Sequence, residues 1–436
     1  MPGLFLLNNR RIKMKKLISL VSGLLLIPAM VSPQNLNGRI SSSIYTFQRF
    51  DTVNVSGNYV RSYQMLNLNF NKDNVSLRSY MNLETDLANK LENDPVLGFY
   101  NLYLEVRDIL KVATVKLGRQ PLFNSVAGGV FDGLNLNLKK GNYNLTAYYG
   151  GNAPAYDELR LIDNWNDNYI LGGKFSTDAL KNFQVSLSYI DKNFKPEAYW
   201  ATRLDAALNP IKVLIENNSN QFKFASAEVN YDPGKIFSIN TRYDYDLNFE
   251  RTSKFELDGN VAASKKLNLD FYYDFRSPLI RYNSIFSVFD YGNTQEVEVG
   301  ANYILNKIFT VTGRYGNVIY QDDNSQRVTV GLSSNYGSFT YRKTFGYAGE
   351  LDALSLYSAY TILNGLLTPS VGLSYTKYKL SESSDANDLA AILAGVNIRP
   401  FGLVSIDLQG QYMNNKIYKN DYRFFLKLDY WFNTNF

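Results

Sequence analysis

The sequence predicts an all-β fold, a transmembrane antiparallel up-and-down β-barrel of about 22 strands (range about 18–22) with no plug domain. Three observations lead there. Apolar and polar residues alternate with period two through segments of roughly ten residues. The connections between those segments alternate short and long, and the last segment carries the alternation to Phe436. A soluble sandwich also hides one face of its strands, but rarely with apolar residues at every second position over so many segments.

Residues 1–33 read as an export signal, and 34–436 as a single barrel. Lys15 and Lys16 form a basic start, Leu17 to Ile27 a short apolar run, and Ala29, Ser32 and Gln34 a small and polar close. That run is too short for a membrane-spanning helix. Met14 followed by two lysines is the expected start, and cleavage is expected between Val31 and Asn35. No later run of about 18 apolar residues would span as a helix.

The strand pattern is clearest at the end of the chain. Tyr422, Phe424, Leu426, Leu428, Tyr430, Phe432 and Phe436 share one face; Arg423, Lys427, Asp429, Asn433 and Asn435 share the other. Leu267, Leu269, Phe271, Tyr273 and Phe275 oppose Asn268, Asp270, Asp274 and Arg276 in the same way, as do Phe183, Val185, Leu187 and Tyr189 against Gln184, Ser186 and Ser188. In lipid every backbone N–H and C=O needs a partner, and a closed barrel supplies them without edges. Tight links are expected at 73–74, 141–142, 232–234, 306–307, 364–365 and 400–402. Long ones are expected at 49–61, 86–97, 119–131, 151–167, 192–220, 277–291 and 381–389. The short class belongs to the periplasm and the long class to the cell surface. Trp200, Arg203, Leu204 and Ala206 to Leu208 suggest a short helix in the longest connection.

Composition excludes several classes. With no Cys among 436 residues there is no disulfide framework, lipid anchor or thiolate metal site, and with no His there is no Ser-His hydrolase. No enzyme, cofactor or metal is expected, and Asp322-Asp323-Asn324 reads as a tight turn. The formal charge of +5 comes from the export signal, whose five Lys and Arg residues leave 40 bases against 40 acids beyond it, so nucleic acid is not an expected partner. The 34 Tyr and 27 Phe suit a lipid–water interface, where a ring meets acyl chains and a hydroxyl stays wet.

Once the lipid face is fixed, the lumen can be read from the positions between. Between residues 237 and 303 the inward acids are Asp244, Asp246, Glu256, Asp258, Asp270, Asp274, Glu296 and Glu298, against Arg242, Lys254 and Arg276. Elsewhere the inward bases are Arg78, Arg107, Lys116, Arg314, Arg327, Arg342, Arg399, Arg423 and Lys427. One expectation is an acidic arc facing a basic arc, with a transverse field that orients polar solutes. The other is that these charges are solvated or paired with the adjacent strand.

One stretch is motif-like. Leu117-Gly118-Arg119-Gln120 ends a strand, Gly128-Gly129 lets the following loop bend, and Phe131-Asp132-Gly133-Leu134 opens the next strand. Over some twenty residues this resembles alginate-export-type and related porin-like barrels. The resemblance suggests that the loop folds inward as a constriction, with Arg119 and Asp132 as its candidate residues; alternatively the pair pins a surface loop. The dense Arg ladder of a polyanion exporter is missing, so alginate is not the expected solute. The final Phe436 resembles the signal read by the outer-membrane assembly machinery.

These observations lead to an outer-membrane location in a Gram-negative-type bacterium and to a passive channel for small hydrophilic solutes, alone or as a homo-oligomer. The alternative is a scaffold that sheathes a periplasmic partner such as a multihaem cytochrome. The barrel is expected to begin beside the cleavage site, which leaves no room for the plug that active transporters of this size carry.

Overall fold

Period-two alternation makes each segment extend, because successive side chains then meet lipid and lumen in turn. The computed structural model describes residues 34–436 except 53–54, 91–93, 124–125, 154–160, 163, 196–197, 205–207, 217–219, 235, 322, 347–348, 380–382 and 417–419. The expected export signal lies outside the described residues.

Along the first third run β1 (Asn35–Thr52), β2 (Val55–Lys72), β3 (Val75–Asp86), β4 (Val96–Ile109), β5 (Ala113–Leu122), β6 (Gly129–Lys140), β7 (Tyr143–Ala153) and β8 (Tyr169–Thr177). The middle holds β9 (Phe183–Lys192), β10 (Tyr199–Leu204), β11 (Pro210–Ile215), β12 (Phe222–Tyr231), β13 (Phe237–Asp246), β14 (Arg251–Ala262), β15 (Leu267–Arg276) and β16 (Thr294–Ile304). The last third holds β17 (Thr310–Tyr320), β18 (Asp323–Ser334), β19 (Gly337–Gly346), β20 (Gly349–Ala359), β21 (Leu367–Lys379), β22 (Asn387–Phe401), β23 (Val404–Asn414) and β24 (Asp421–Asn435).

Every strand but β10 and β11 belongs to one 22-stranded antiparallel sheet in chain order. The sheet closes through β1 and β24, from Asn35 opposite Asn435 to Tyr45 opposite Phe425. On the lumen side of this seam, amides hold the strands together. Asn35 donates to Asn433 (2.6 Å) and Asn435 (2.7 Å), and on the neighbouring strand of the same wall Asn69 of β2 donates to Asn37 (3.0 Å). Large exposed side chains in the strands include Leu269, Phe271, Leu187, Tyr422, Phe424 and Tyr430, all at alternate positions read as lipid-facing.

An even strand number puts both ends of the barrel chain on one side, here called the turn end, with the short links 73–74, 141–142 and 402–403. The opposite side, the loop end, carries 87–95, 154–168, 193–221 and 277–293. Three expectations about connections need correction. Residues 49–61 form no long loop: β1 and β2 continue as a hairpin in which Thr52 pairs with Val55. The 119–131 loop is shorter than expected, because Leu122 and Gly129 are still paired in the sheet. In 193–221 the expected helix is replaced by the hairpin β10–β11, with Trp200 opposite Leu214. Trp200, Thr202 and Leu204 alternate with Ala201 and Arg203, and that period of two favours a strand. Ala206 and Ala207, like Asp322, lie outside the described residues.

Candidate functional site

On the wall formed by β13 to β18, the predicted acids stand beside bases two residues away on the same strand or on strands nearby in the sheet. Arg242 grips Asp244 at 2.6 Å, and Arg276 meets Asp274 at 3.0 Å and Glu296 at 3.4 Å. Arg327 reaches Glu296 at 2.6 Å and Glu298 at 2.8 Å, while Arg314 reaches Glu298 at 3.1 Å and Asp270 at 3.6 Å. Lys254 pairs with Glu256. Asp270 also accepts the side-chain amides of Asn260 (2.8 Å) and Asn302 (2.6 Å). This wall is therefore a ladder of alternating charges. Arg314 and Arg327 stand beside the acids rather than across the lumen from them, which corrects the expectation of an opposed basic arc for these two residues.

Two predicted acids do something else. Asp246 closes the turn after β13 by accepting the backbone N–H groups of Asn248 (2.9 Å) and Phe249 (3.2 Å), because the strand ends there. Asp258 is exposed opposite Asn240 and Tyr272, apart from the ladder.

On the wall running from β24 through the seam to β5, bases gather around acids of which the sequence reading had placed only Asp429. Buried Glu105 lies between Arg78 (3.1 Å), Lys116 (3.7 Å) and Arg107 (3.8 Å). Arg423 pairs with Asp421 at 2.8 Å and donates to the Tyr45 hydroxyl, and Lys427 pairs with Asp429 at 2.9 Å. Alternation also marks Glu105 and Asp421 as inward; weighing bases alone hid them. Arg342 lies on β19 opposite Thr329 and Ala353. Arg399 sits beside the turn end, where its backbone N–H donates to the Leu366 carbonyl (2.8 Å) and its side chain to Asn397 (3.2 Å).

The motif-like stretch divides between the two faces of the sheet. Arg119 and Asp132 are direct cross-strand partners in a row two positions from Leu117 and Leu134, both exposed on the lipid side. They are therefore not lumen residues, contrary to the constriction reading. They form a bidentate ion pair (Nε–Oδ1 2.7 Å, Nη2–Oδ2 2.8 Å) with side chains 4% and 5% exposed. What buries them is the loop after β7. The backbone N–H of Ile162 donates to Asp132 (2.9 Å), and Trp165 stacks edge-on against Tyr149. Gly151 leaves the room this requires, since a Cβ there would meet Ile162 at 2.6 Å.

The loop between β5 and β6 does turn inward. Ala127 is buried against Phe131, Tyr148, Ile170, Ile190 and Phe224, with Leu122, Val126 and Phe222 packed around them. The Gly128 carbonyl accepts from Lys192 (2.9 Å), and Gly129, at φ +154°, faces that ammonium so closely that a Cβ would lie 3.1 Å from it. Val126 then borders a cavity of about 650 Å³, whose far side is Arg242, Lys254, Arg276, Glu296 and Arg327. The sequence did carry a signal for this apolar patch. At Tyr148-Tyr149, Ile170-Leu171 and Tyr189-Ile190 two large apolar residues are adjacent, so one of each pair must break the alternation and face inward.

The loop 277–293 leans over the same region. Asn283 is buried and donates to Asn193 (3.3 Å) and to the Phe194 carbonyl (3.1 Å), and Leu279 lines the cavity. Ile285 and Val288 in its 3-10 turn remain exposed at 72% and 81%.

A closed cylinder with an apolar exterior and a charged interior defines the class: a transmembrane β-barrel of outer-membrane type, with a loop in its lumen. No family model matches the chain, and no curated protein matches it. Solved structures with a similar course include the P pilus usher translocation pore (9% identity, TM-score 0.49, covering 92% of this chain and 100% of that one). OpdK of Pseudomonas aeruginosa with vanillate (9% identity, TM-score 0.43, 92% and 98%) and OccAB1 of Acinetobacter baumannii (9% identity, TM-score 0.44, 92% and 96%) are also similar. The strands of this chain close on themselves through β1 and β24.

Proposed function

We propose that the chain is a channel for passive diffusion of small hydrophilic solutes across the outer membrane. The observation that carries this reading is the constriction. A loop of the barrel itself, pinned by an apolar patch and by Lys192, narrows a lumen whose facing wall is a ladder of ion pairs. Such a wall meets polar solutes with fixed donors and acceptors and offers nothing to apolar ones. A sheath for a periplasmic partner needs its interior free, and the inward loop takes up part of that space. The purified protein alone should give stepwise conductance in planar bilayers. Silent bilayers, together with a stoichiometric partner retained on purification, would favour the sheath instead.

The ladder also sets an expectation for ion selectivity. Exchanging Asp270, Asp274, Glu296 and Glu298 for their amides removes the partners of Arg276, Arg314 and Arg327 but leaves those cations in place. The reversal potential in a salt gradient should move toward anion preference. An unchanged potential would mean that this wall does not border the conducting path.

A further inference from the structure

The turn end of the barrel carries a collar of lysines that neither the ladder nor the constriction uses. Lys111 sits between β4 and β5, Lys139 and Lys140 at the β6–β7 turn, Lys181 between β8 and β9, and Lys265 with Lys266 between β14 and β15. All six are exposed, and none is among the ion pairs of the described residues. Asp108 and Asp178 are the acids in the same turns, so the collar keeps a surplus of positive charge.

Exposed apolar residues stand next to these ammonium groups. Leu110 (88% exposed) precedes Lys111, Leu180 (59%) precedes Lys181, and Tyr143 (54%) follows the Lys139–Lys140 pair. An apolar residue that reaches the hydrocarbon edge beside a long cationic stem that reaches outward is the arrangement that suits the boundary between acyl chains and headgroups. A basic site facing the aqueous periplasm needs no such neighbours.

We propose that this collar binds the phosphate headgroups of anionic phospholipids in the leaflet around the turn end, fixing the depth of the barrel in the membrane. Each lysine beside an anionic surface strengthens binding by about fivefold. Several acting together on turns along the arc of the wall from β4 to β15 would hold that side of the turn end against the leaflet. The proposal rests on the membrane-spanning reading but not on conduction.

The test uses the whole barrel refolded into vesicles of phosphatidylcholine containing a minor fraction of phosphatidylglycerol. Native mass spectrometry after mild extraction should show phosphatidylglycerol retained well beyond its share of the vesicle. A variant with Lys111, Lys139, Lys140, Lys265 and Lys266 all changed to Gln should lose that enrichment several-fold, while still inserting, resisting heat on gels and conducting like the parent. Equal retention of the two lipids by parent and variant would overturn the proposal, as would sedimentation with purified peptidoglycan without lipid enrichment, which would mark the collar as a cell-wall contact. Failure of the parent to insert would instead count against the membrane reading itself.

Discussion

Replacing Arg119 with Ala is expected to lower the stability of the detergent-solubilised barrel by about 3–5 kcal/mol, the range seen when one partner of a buried pair is removed. The size follows from the burial. With its partner gone, the Asp132 carboxylate remains 5% exposed beneath the loop after β7, holding only the Ile162 N–H among the contacts described for it. Thermal unfolding followed by circular dichroism should show the fall in midpoint, and proteolysis should cut residues 161–168 more readily. Arg119→Met combined with Asp132→Leu should recover most of the loss, because replacing both charges with apolar groups removes the desolvation cost that stranding one of them creates. If the single and double variants unfolded together at the parent's temperature, the pair would have no role in holding that loop.

Shortening the loop between β5 and β6 should have the largest effect on conduction. Leu122 and Gly129 are already directly opposite each other, so a two-residue turn can join them without disturbing the register. Single-channel conductance should rise, and larger neutral solutes should pass, because Val126 no longer borders the cavity that Arg276 and Arg327 line. Unaltered conductance in a folded variant would place the narrowest point elsewhere. Phe224→Ala is the informative companion. This side chain is fully buried against the loop, and its truncation should cost about 3–5 kcal/mol and loosen the same loop without shortening it.

Much of this architecture could be read from residue order because lipid imposes a strict rule: every second side chain must tolerate hydrocarbon. Leu267 to Phe275 and Tyr422 to Phe432 obey it, so their faces, their strands and the closure through β24 were legible. The rule weakens wherever the chain leaves lipid. Beyond the hydrocarbon the same parity still holds for Arg119 and Asp132, but a covering loop replaces acyl chains, and an ion pair becomes acceptable on the outer face. The expected helix from Trp200 to Leu208 failed for a related reason: the alternation through Trp200 to Leu204 belongs to the small separate hairpin β10–β11. Pairing was the other blind spot. Inward position could be read, but whether Arg327 would find Glu296 on the next strand but one or face it across the lumen depends on register and strand tilt, which no single strand encodes.

The seam between β1 and β24 joins Asn35 to Asn435, the opposite extremes of the β-sheet, so the pairing of greatest sequence separation is also the one that seals the wall. Such a contact is costly in chain entropy and comes late. Until β24 arrives, the nascent sheet has two bare edges, each a row of unsatisfied peptide groups able to capture a foreign strand. Maturation of this protein therefore has a vulnerable interval set by topology rather than by any single residue, and a host that makes it must shelter those two edges until the last strand docks.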